Sequence, residues 1–187
     1  MKKVKNNKFI KPITLTNRNT LILLFSLFIL FLFLYLNEKN EFPTQKNTGT
    51  KLGEYAPDFE TEYLNGSRFA LYDLRGTPVI LNFWATWCPP CVREMPRLQK
   101  LYEENKNDVI VVGVNLGEDK ETIEKFIKRL NITFPIVLDK EKKIEPYYNL
   151  LLKPTTYFID ENGIIVDKKY GELSSEDLNE RAQKLLK

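Results

Sequence analysis

Residues 78–85, PVILNFWA, are apolar at nearly every position. A strand of that kind is buried on both faces, as in the parallel part of an α/β sheet. TWCPPC follows at once, residues 86–91, and then a helical pattern with Met95, Leu98, Leu101 and Tyr102 on one stripe. A buried strand that runs straight into a helix excludes all-β and all-α folds. Pro96 is expected to kink that helix.

The remaining pattern extends the same plan. Asn65 and Gly66 separate two short runs and read as a hairpin turn. Residues 108–114, DVIVVGV, form a second buried strand, and 120–130 an amphipathic helix with Ile123, Phe126, Ile127 and Leu130 inward. A short strand is expected at 134–139. Strands at 155–160 and 164–170 flank a turn at Glu161, Asn162 and Gly163. Ser174 with Asp177 resembles a capping box opening a last helix to about Leu186. The expected order is β-hairpin, β, α, β, α, β, α, β, β, α. This includes a helix between 139 and 155, and it implies a central sheet with a parallel part and helices on its faces.

The N-terminus is of another kind. Lys2, Lys3, Lys5, Lys8, Lys11 and Arg18 carry six positive charges with no acid among them. Residues 21–36, LILLFSLFILFLFLYL, then run apolar on every face. They are at the short limit of a helical membrane span. The basic cluster predicts a cytoplasmic N-terminus, residues 1–20, with everything beyond the span outside. No run of small residues offers a signal cleavage site, so an uncleaved anchor is expected. Residues 37–50 read as a polar tether, and 51–187 as one globular domain. The net charge is +3, which the six N-terminal charges more than account for, so the rest of the chain is near neutral and slightly acidic. That argues against a nucleic-acid partner.

Cys88 and Cys91 are the only cysteines, and the chain has no histidine. Histidine bases and Cys–His nucleophile pairs are therefore excluded. Cys88 stands where the strand gives way to the helix, where first-turn amides favour a thiolate. Pro89 and Pro90 suit the first helical positions and stiffen the loop. Cys91 lies one turn on and nearer the core. This supports an exposed Cys88 that attacks a disulfide and a Cys91 that resolves the mixed disulfide. A structural staple would close only a tiny loop and remove little chain entropy. A zinc site would need four ligands, so the metal-binding reading survives only as a site shared between chains.

Three segments carry a wider likeness. GEYAPDFE at 53–60, NFWATWCPPCVREMP at 82–96 and KPTTYFID at 153–160 resemble the extracytoplasmic, membrane-tethered thiol–disulfide oxidoreductases of the ResA and TlpA type, in the thioredoxin superfamily. The resemblance implies a thioredoxin-like fold over about 51–187. Its only cofactor would be the redox-active disulfide of Cys88 and Cys91. It makes Pro154 the superfamily's cis-proline, with Lys153, Thr155, Trp87, Pro89 and Pro90 on the substrate side. Trp84 is assigned to the core and the EPYYNLLLKPT segment to packing around the cis-proline loop.

Glu94, three residues after Cys91, is either a solvated helix acid paired with Arg97 or a proton carrier for the thiols. Spacing leaves both open, and the resemblance implies the second. Asn82 stands where cytoplasmic thioredoxins carry a buried aspartate. That departure moves proton handling towards Glu94. The implied partners are a membrane thiol transporter as electron donor and a protein disulfide as acceptor. Apocytochrome c is the first expectation, and a cell-envelope or spore-cortex protein the alternative. A thiol peroxidase on the same fold would need a proline and a threonine upstream of the reactive cysteine, and Cys88 lacks that arrangement.

Overall fold

The computed structural model describes residues 18–37 and 47–186. The expected basic segment up to residue 17 and residues 38–46 of the expected tether lie outside the described residues. The chain divides into two units, Met1–Phe42 and Pro43–Lys187. In the first, helix α1 runs over Arg18–Asn37. Its side chains are described over 21–33, where all are exposed. That stretch is shorter than the about 20 apolar residues a span needs, so the described residues contain no helix long and apolar enough to cross a membrane.

The second unit is built on one seven-stranded sheet. Strands β1 (Glu60–Tyr63), β2 (Arg68–Ala70), β3 (Val79–Trp84), β4 (Ile110–Leu116), β5 (Ile136–Asp139), β6 (Thr155–Ile159) and β7 (Ile165–Tyr170) lie in the order β2-β1-β5-β4-β3-β6-β7. β3, β4 and β5 are parallel. β6 and β7, and the β1–β2 hairpin, are antiparallel additions on the two sides. The expected hairpin turn is present: Gly66 has φ +86 and its amide donates to the Tyr63 carbonyl at 2.8 Å. Helices α2 (Pro89–Asn105), α3 (Lys120–Arg129) and α4 (Ser175–Leu185) complete the unit. α2 continues through Pro96 as one element.

Alternation along β3 sorts the core into two layers. Ile80 and Trp84 point to the layer that holds Met95 and Leu98 of α2, Ile123 and Phe126 of α3, and Leu178 and Ala182 of α4. Val79, Leu81 and Phe83 point to the other layer, with Phe59, Phe69, Tyr148 and Tyr157. Helices on both faces were expected, and this needs correction: all three α-helices of the unit pack on one face. The reason is topological. Two successive parallel crossovers that step in the same direction, each right-handed, place α2 and α3 on the same side. The other face is covered by the N-terminal loop and by two 3₁₀ turns, Leu71–Leu74 and Glu145–Tyr148.

The second of these turns replaces the α-helix expected between 139 and 155. Asp139 binds the amides of Lys143, Ile144 and Glu145, which folds the chain back on itself. The turn then ends at Asn149 in the left-handed region, φ 46. Residues 47–50, expected in the tether, are bonded into this unit: the Tyr55 amide donates to the Asn47 carbonyl at 3.0 Å, and Lys168 Nζ to the Thr50 carbonyl at 3.0 Å.

Gly113 of β4 faces Trp84. A Cβ there would meet Ile136 Cδ1 at 2.8 Å and Trp84 Nε1 at 2.9 Å. Overpacking of this kind costs about 1–3 kcal/mol. Gly113→Ala is expected to lower the denaturant midpoint accordingly with an unchanged slope. A midpoint equal to that of the parent would show that the Trp84 layer is more compliant than this packing implies.

Candidate active site

β3 delivers the chain to one end of the sheet, and β6 begins at that same end. Phe83 pairs with Thr155 across the two antiparallel strands. The loop 85–88 and the loop 151–154 are therefore neighbours in the fold. The Cys88–Cys91 disulfide spans Cα atoms 5.3 Å apart. Cys88 is the N-cap of α2, and its Sγ accepts from the Cys91 amide at 3.4 Å. Pro89 and Pro90 occupy the first turn, where a missing N–H costs nothing.

An exposed Cys88 was expected, and this needs qualification. It is 4 % exposed against 0 % for Cys91. The disulfide tucks both sulfurs against the core layer of Trp84 and Met95, and what access there is lies at Cys88. Trp84 is fully buried with its ring 5.1 Å from that of Phe126. Trp87 is 65 % exposed, beside the disulfide in sequence and on the rim.

The Lys153–Pro154 peptide bond is cis, as the resemblance implied. Two neighbours are placed differently from the substrate-contact expectation. Thr155 is fully buried, and its hydroxyl donates to the Leu152 carbonyl at 2.5 Å. It braces the loop and offers no side-chain surface. Lys153 Nζ is paired with Glu145 at 2.8 Å. The EPYYNLLLKPT segment is also less of a packing element than expected. Tyr148 is buried, with its hydroxyl donating to the Pro57 carbonyl at 2.6 Å. Tyr147, Leu151 and Leu152 are exposed. An apolar surface is thus left beside the proline loop.

Glu94 is fully buried, which removes the reading as a solvated helix acid. Arg97 pairs instead with Glu172. Glu94 Oε1 accepts from Asn82 Nδ2 at 2.7 Å, and Oε2 from the Leu173 amide at 2.9 Å. Burial pushes the Glu94 carboxyl up to about 7, and the Glu172 charge pushes the same way. The Leu173 amide, the Asn82 amide and the Arg97 charge pull it down. The group therefore changes charge near neutral pH. Asn82 is fully buried too. Its Nδ2 also reaches Thr156 Oγ1 at 2.9 Å, while its Oδ1 has no partner among the described residues. An amide can donate to a carboxylate or, after a flip, accept from a carboxylic acid. Asn82 can therefore serve either protonation state of Glu94. A second carboxylate at position 82 would repel the first.

Sequence reading missed Glu118. Its carboxylate accepts from the Thr86 amide at 2.7 Å, from the Thr86 hydroxyl, and from Asn115 Nδ2 at 2.7 Å. It ties the loop before Cys88 to the end of β4. Thr86 and Glu118 are 32 residues apart, so no local pattern announces the contact.

With this geometry in hand, comparison with known proteins is specific. The AhpC/TSA family model matches residues 52–168. The thiol–disulfide oxidoreductase ResA of Geobacillus kaustophilus is 41 % identical over 145 residues, covering 77 % of this chain and 83 % of that protein. A crystal structure assigned as the thiol:disulfide interchange protein DsbE of Chlorobium tepidum superposes with a TM-score of 0.70 at 28 % identity, over 74 % of this chain and 100 % of that one. A secreted disulfide oxidoreductase of Mycobacterium tuberculosis, described as homologous to DsbE of E. coli, gives a TM-score of 0.62 at 29 % identity, over 68 % and 96 %. The chain has the fold of these proteins and the disulfide at the head of α2. It belongs to the AhpC/TSA family and, within it, to the ResA-type thiol–disulfide oxidoreductases, with Cys88–Cys91 as its CxxC disulfide.

Proposed function

We propose that this chain is a membrane-anchored reductant of one specific protein disulfide outside the cytoplasm, with apocytochrome c as the substrate class. The observation that carries the reading is a disulfide at a helix N-cap with a buried carboxyl, poised near neutral pH, one turn behind Cys91. In the reduced enzyme the Cys88 thiolate attacks one sulfur of the substrate disulfide. A mixed disulfide forms and the other substrate sulfur leaves as a thiolate. The Cys91 thiolate then attacks Cys88 Sγ, closes the Cys88–Cys91 bond and releases the second substrate sulfur. Two electrons pass from the enzyme dithiol to the substrate, and Glu94 carries the proton given up as Cys91 becomes a thiolate. A membrane thiol transporter restores the dithiol. The exposed Trp87, Leu151 and Leu152 form the surface on which a substrate strand rests, and Lys153 and Pro154 present its backbone partners.

The anchor of this reading is the apolar run at 21–36, at the short limit of a helical span. The positive residues before it set the N-terminus inside. Protease added to intact protoplasts is expected to release the domain beyond residue 37. A protected domain, or a mature N-terminus near residue 40, would sink this topology.

Trapping tests the reaction and names the substrate. Cys91→Ala keeps the attacking thiol and loses the resolving one. It should accumulate reductant-sensitive adducts on Cys88, with apocytochrome c identified by mass spectrometry. Adducts with cell-envelope or spore-cortex proteins instead would transfer the same chemistry to that substrate class. Adducts formed by Cys88→Ala and not by Cys91→Ala would reverse the roles of the two cysteines.

Glu94→Gln tests the proton carrier. The Glu94 charge disfavours a second negative charge on sulfur, so its removal should lower the apparent thiol pKa. It should also abolish the break near pH 7 in the rate of disulfide exchange, and slow reduction. Stability gives an independent check. The carboxyl is held at about 7 when folded, against 4.5 for an ordinary glutamate. The folded state therefore keeps the proton that the unfolded chain releases, and stability falls as pH rises from 4.5 to 7, by roughly 3 kcal/mol for a shift of this size. The Gln variant should lack that slope. Identical pH profiles for parent and variant would mark Glu94 as structural.

A further inference from the structure

Three consecutive residues between β7 and α4 bond the proline loop and α2. Gly171 takes φ +84, a left-handed turn that swings the chain towards α2 and that a side chain would strain. Its amide donates to the Pro154 carbonyl at 2.8 Å. Leu173, next but one, donates its amide to Glu94 Oε2 at 2.9 Å. Between them Glu172 is gripped by two arginines one turn apart on α2. Its Oε2 accepts from Arg93 Nε at 2.9 Å and Nη2 at 2.5 Å, and its Oε1 from Arg97 Nη1 at 2.8 Å. Arg97 Nη1 also donates to the Leu173 carbonyl at 2.8 Å.

We propose that Glu172 is a positioning residue for the exchange reaction: held by Arg93 and Arg97, it fixes residues 171–173 so that the Leu173 amide stays on Glu94 and the Gly171 amide stays on the Pro154 carbonyl. The proposal rests on the reading of Glu94 as the proton carrier. A partly exposed ion pair adds little to global stability. Three donors converging on one carboxylate here are better explained by what its two sequence neighbours do. Both of those neighbours bond a residue of the disulfide site, from α2 in one case and from the loop before β6 in the other.

The charges facing Glu94 are few. α2 contributes Arg97, with Arg93 beyond Glu172. The linker contributes Glu172. β3 contributes the neutral Asn82, with Thr156 of β6 behind it. Glu172 as a bare charge raises the Glu94 carboxyl, while the Leu173 amide lowers it more strongly. Charge and position therefore make opposite predictions. Glu172→Gln removes the charge and keeps an oxygen for the arginines. Glu172→Ala removes both.

The experiment uses isotope-labelled full-length protein in detergent micelles. It reads amide hydrogen exchange at Gly171 and Leu173, the Glu94 carboxyl titration by carbon NMR, and the pH profile of exchange with oxidised glutathione. Glu172→Ala should speed amide exchange at both positions at least tenfold with Leu81 of β3 unaffected. It should also raise the Glu94 midpoint and carry the break in the rate profile up with it. Glu172→Gln should leave both amides protected and lower the midpoint. If Glu172→Ala leaves both amides protected and lowers the midpoint as Gln does, Glu172 is only a nearby charge and the proposal falls. It falls equally if the midpoint moves and the rate profile does not. Should Glu172→Ala fail to fold, Arg97→Met replaces it, and retained protection at Leu173 overturns the proposal. Glu94→Gln in parallel keeps the two ideas apart. An unaltered rate profile there defeats the proton-carrier reading, while amide protection judges Glu172 without reference to catalysis.

Discussion

β3 is buried from end to end, and the chemistry of this protein follows from that constraint. A strand covered on both faces can act only at its tip or through a polar residue that its neighbours satisfy. It does both. At its tip the chain passes through a loop pinned by Glu118 and becomes α2, so that Cys88 caps the helix. Within it Asn82 is the one polar residue, and its amide is shared between Glu94 and Thr156. The disulfide and the buried carboxyl are thus fixed to one strand.

Burial of Glu94 has a cost and, on the proposed reading, a use. A carboxylate near thiols opposes their ionisation. A neutral carboxylic acid at the same place does not, and it can exchange a proton. The carboxyl is raised to about 7 because desolvation, aided by the Glu172 charge, outweighs the two N–H donors and Arg97 that pull it down. Loss of either donor would raise the carboxyl further. This gives the segment after β7 a weight that its position on the rim of the sheet would not suggest.

The two faces of the sheet have different tasks. One carries all three α-helices of the domain and the redox site. The other is an aromatic layer of Phe59, Phe69, Phe83, Tyr148 and Tyr157, closed by 3₁₀ turns. There the tyrosine hydroxyls bond backbone carbonyls of the loops, Tyr148 to Pro57 and Tyr157 to Tyr148. Those bonds hold the chain leading to Pro154 without a helix, and Tyr147, Leu151 and Leu152 remain outside.

Read alone, the sequence determined what depends on neighbours along the chain. The period of the apolar residues set the strands and α2 to α4, Asn65 and Gly66 set the hairpin, and the apolar run after the basic cluster set α1. The spacing of Cys88 and Cys91, with two prolines at helical positions, set the redox pair. Tertiary structure alone decided what depends on partners far along the chain. The sequence left Glu94 open between a solvated helix acid and a proton carrier for the thiols, because its face of α2 borders the apolar stripe. The answer came from Asn82, 12 residues before it, and Leu173, 79 residues after it. Thr155 proved to be a brace, Glu118 a clamp, and the expected helix before Pro154 a short turn wound on Asp139. For Glu94 and Glu118 long-range hydrogen bonds, and for Thr155 and Asp139 bonds within six residues, satisfy a buried or half-buried polar group and outweigh local preference, since an unpaired polar group in the core costs more than a residue's propensity can offset.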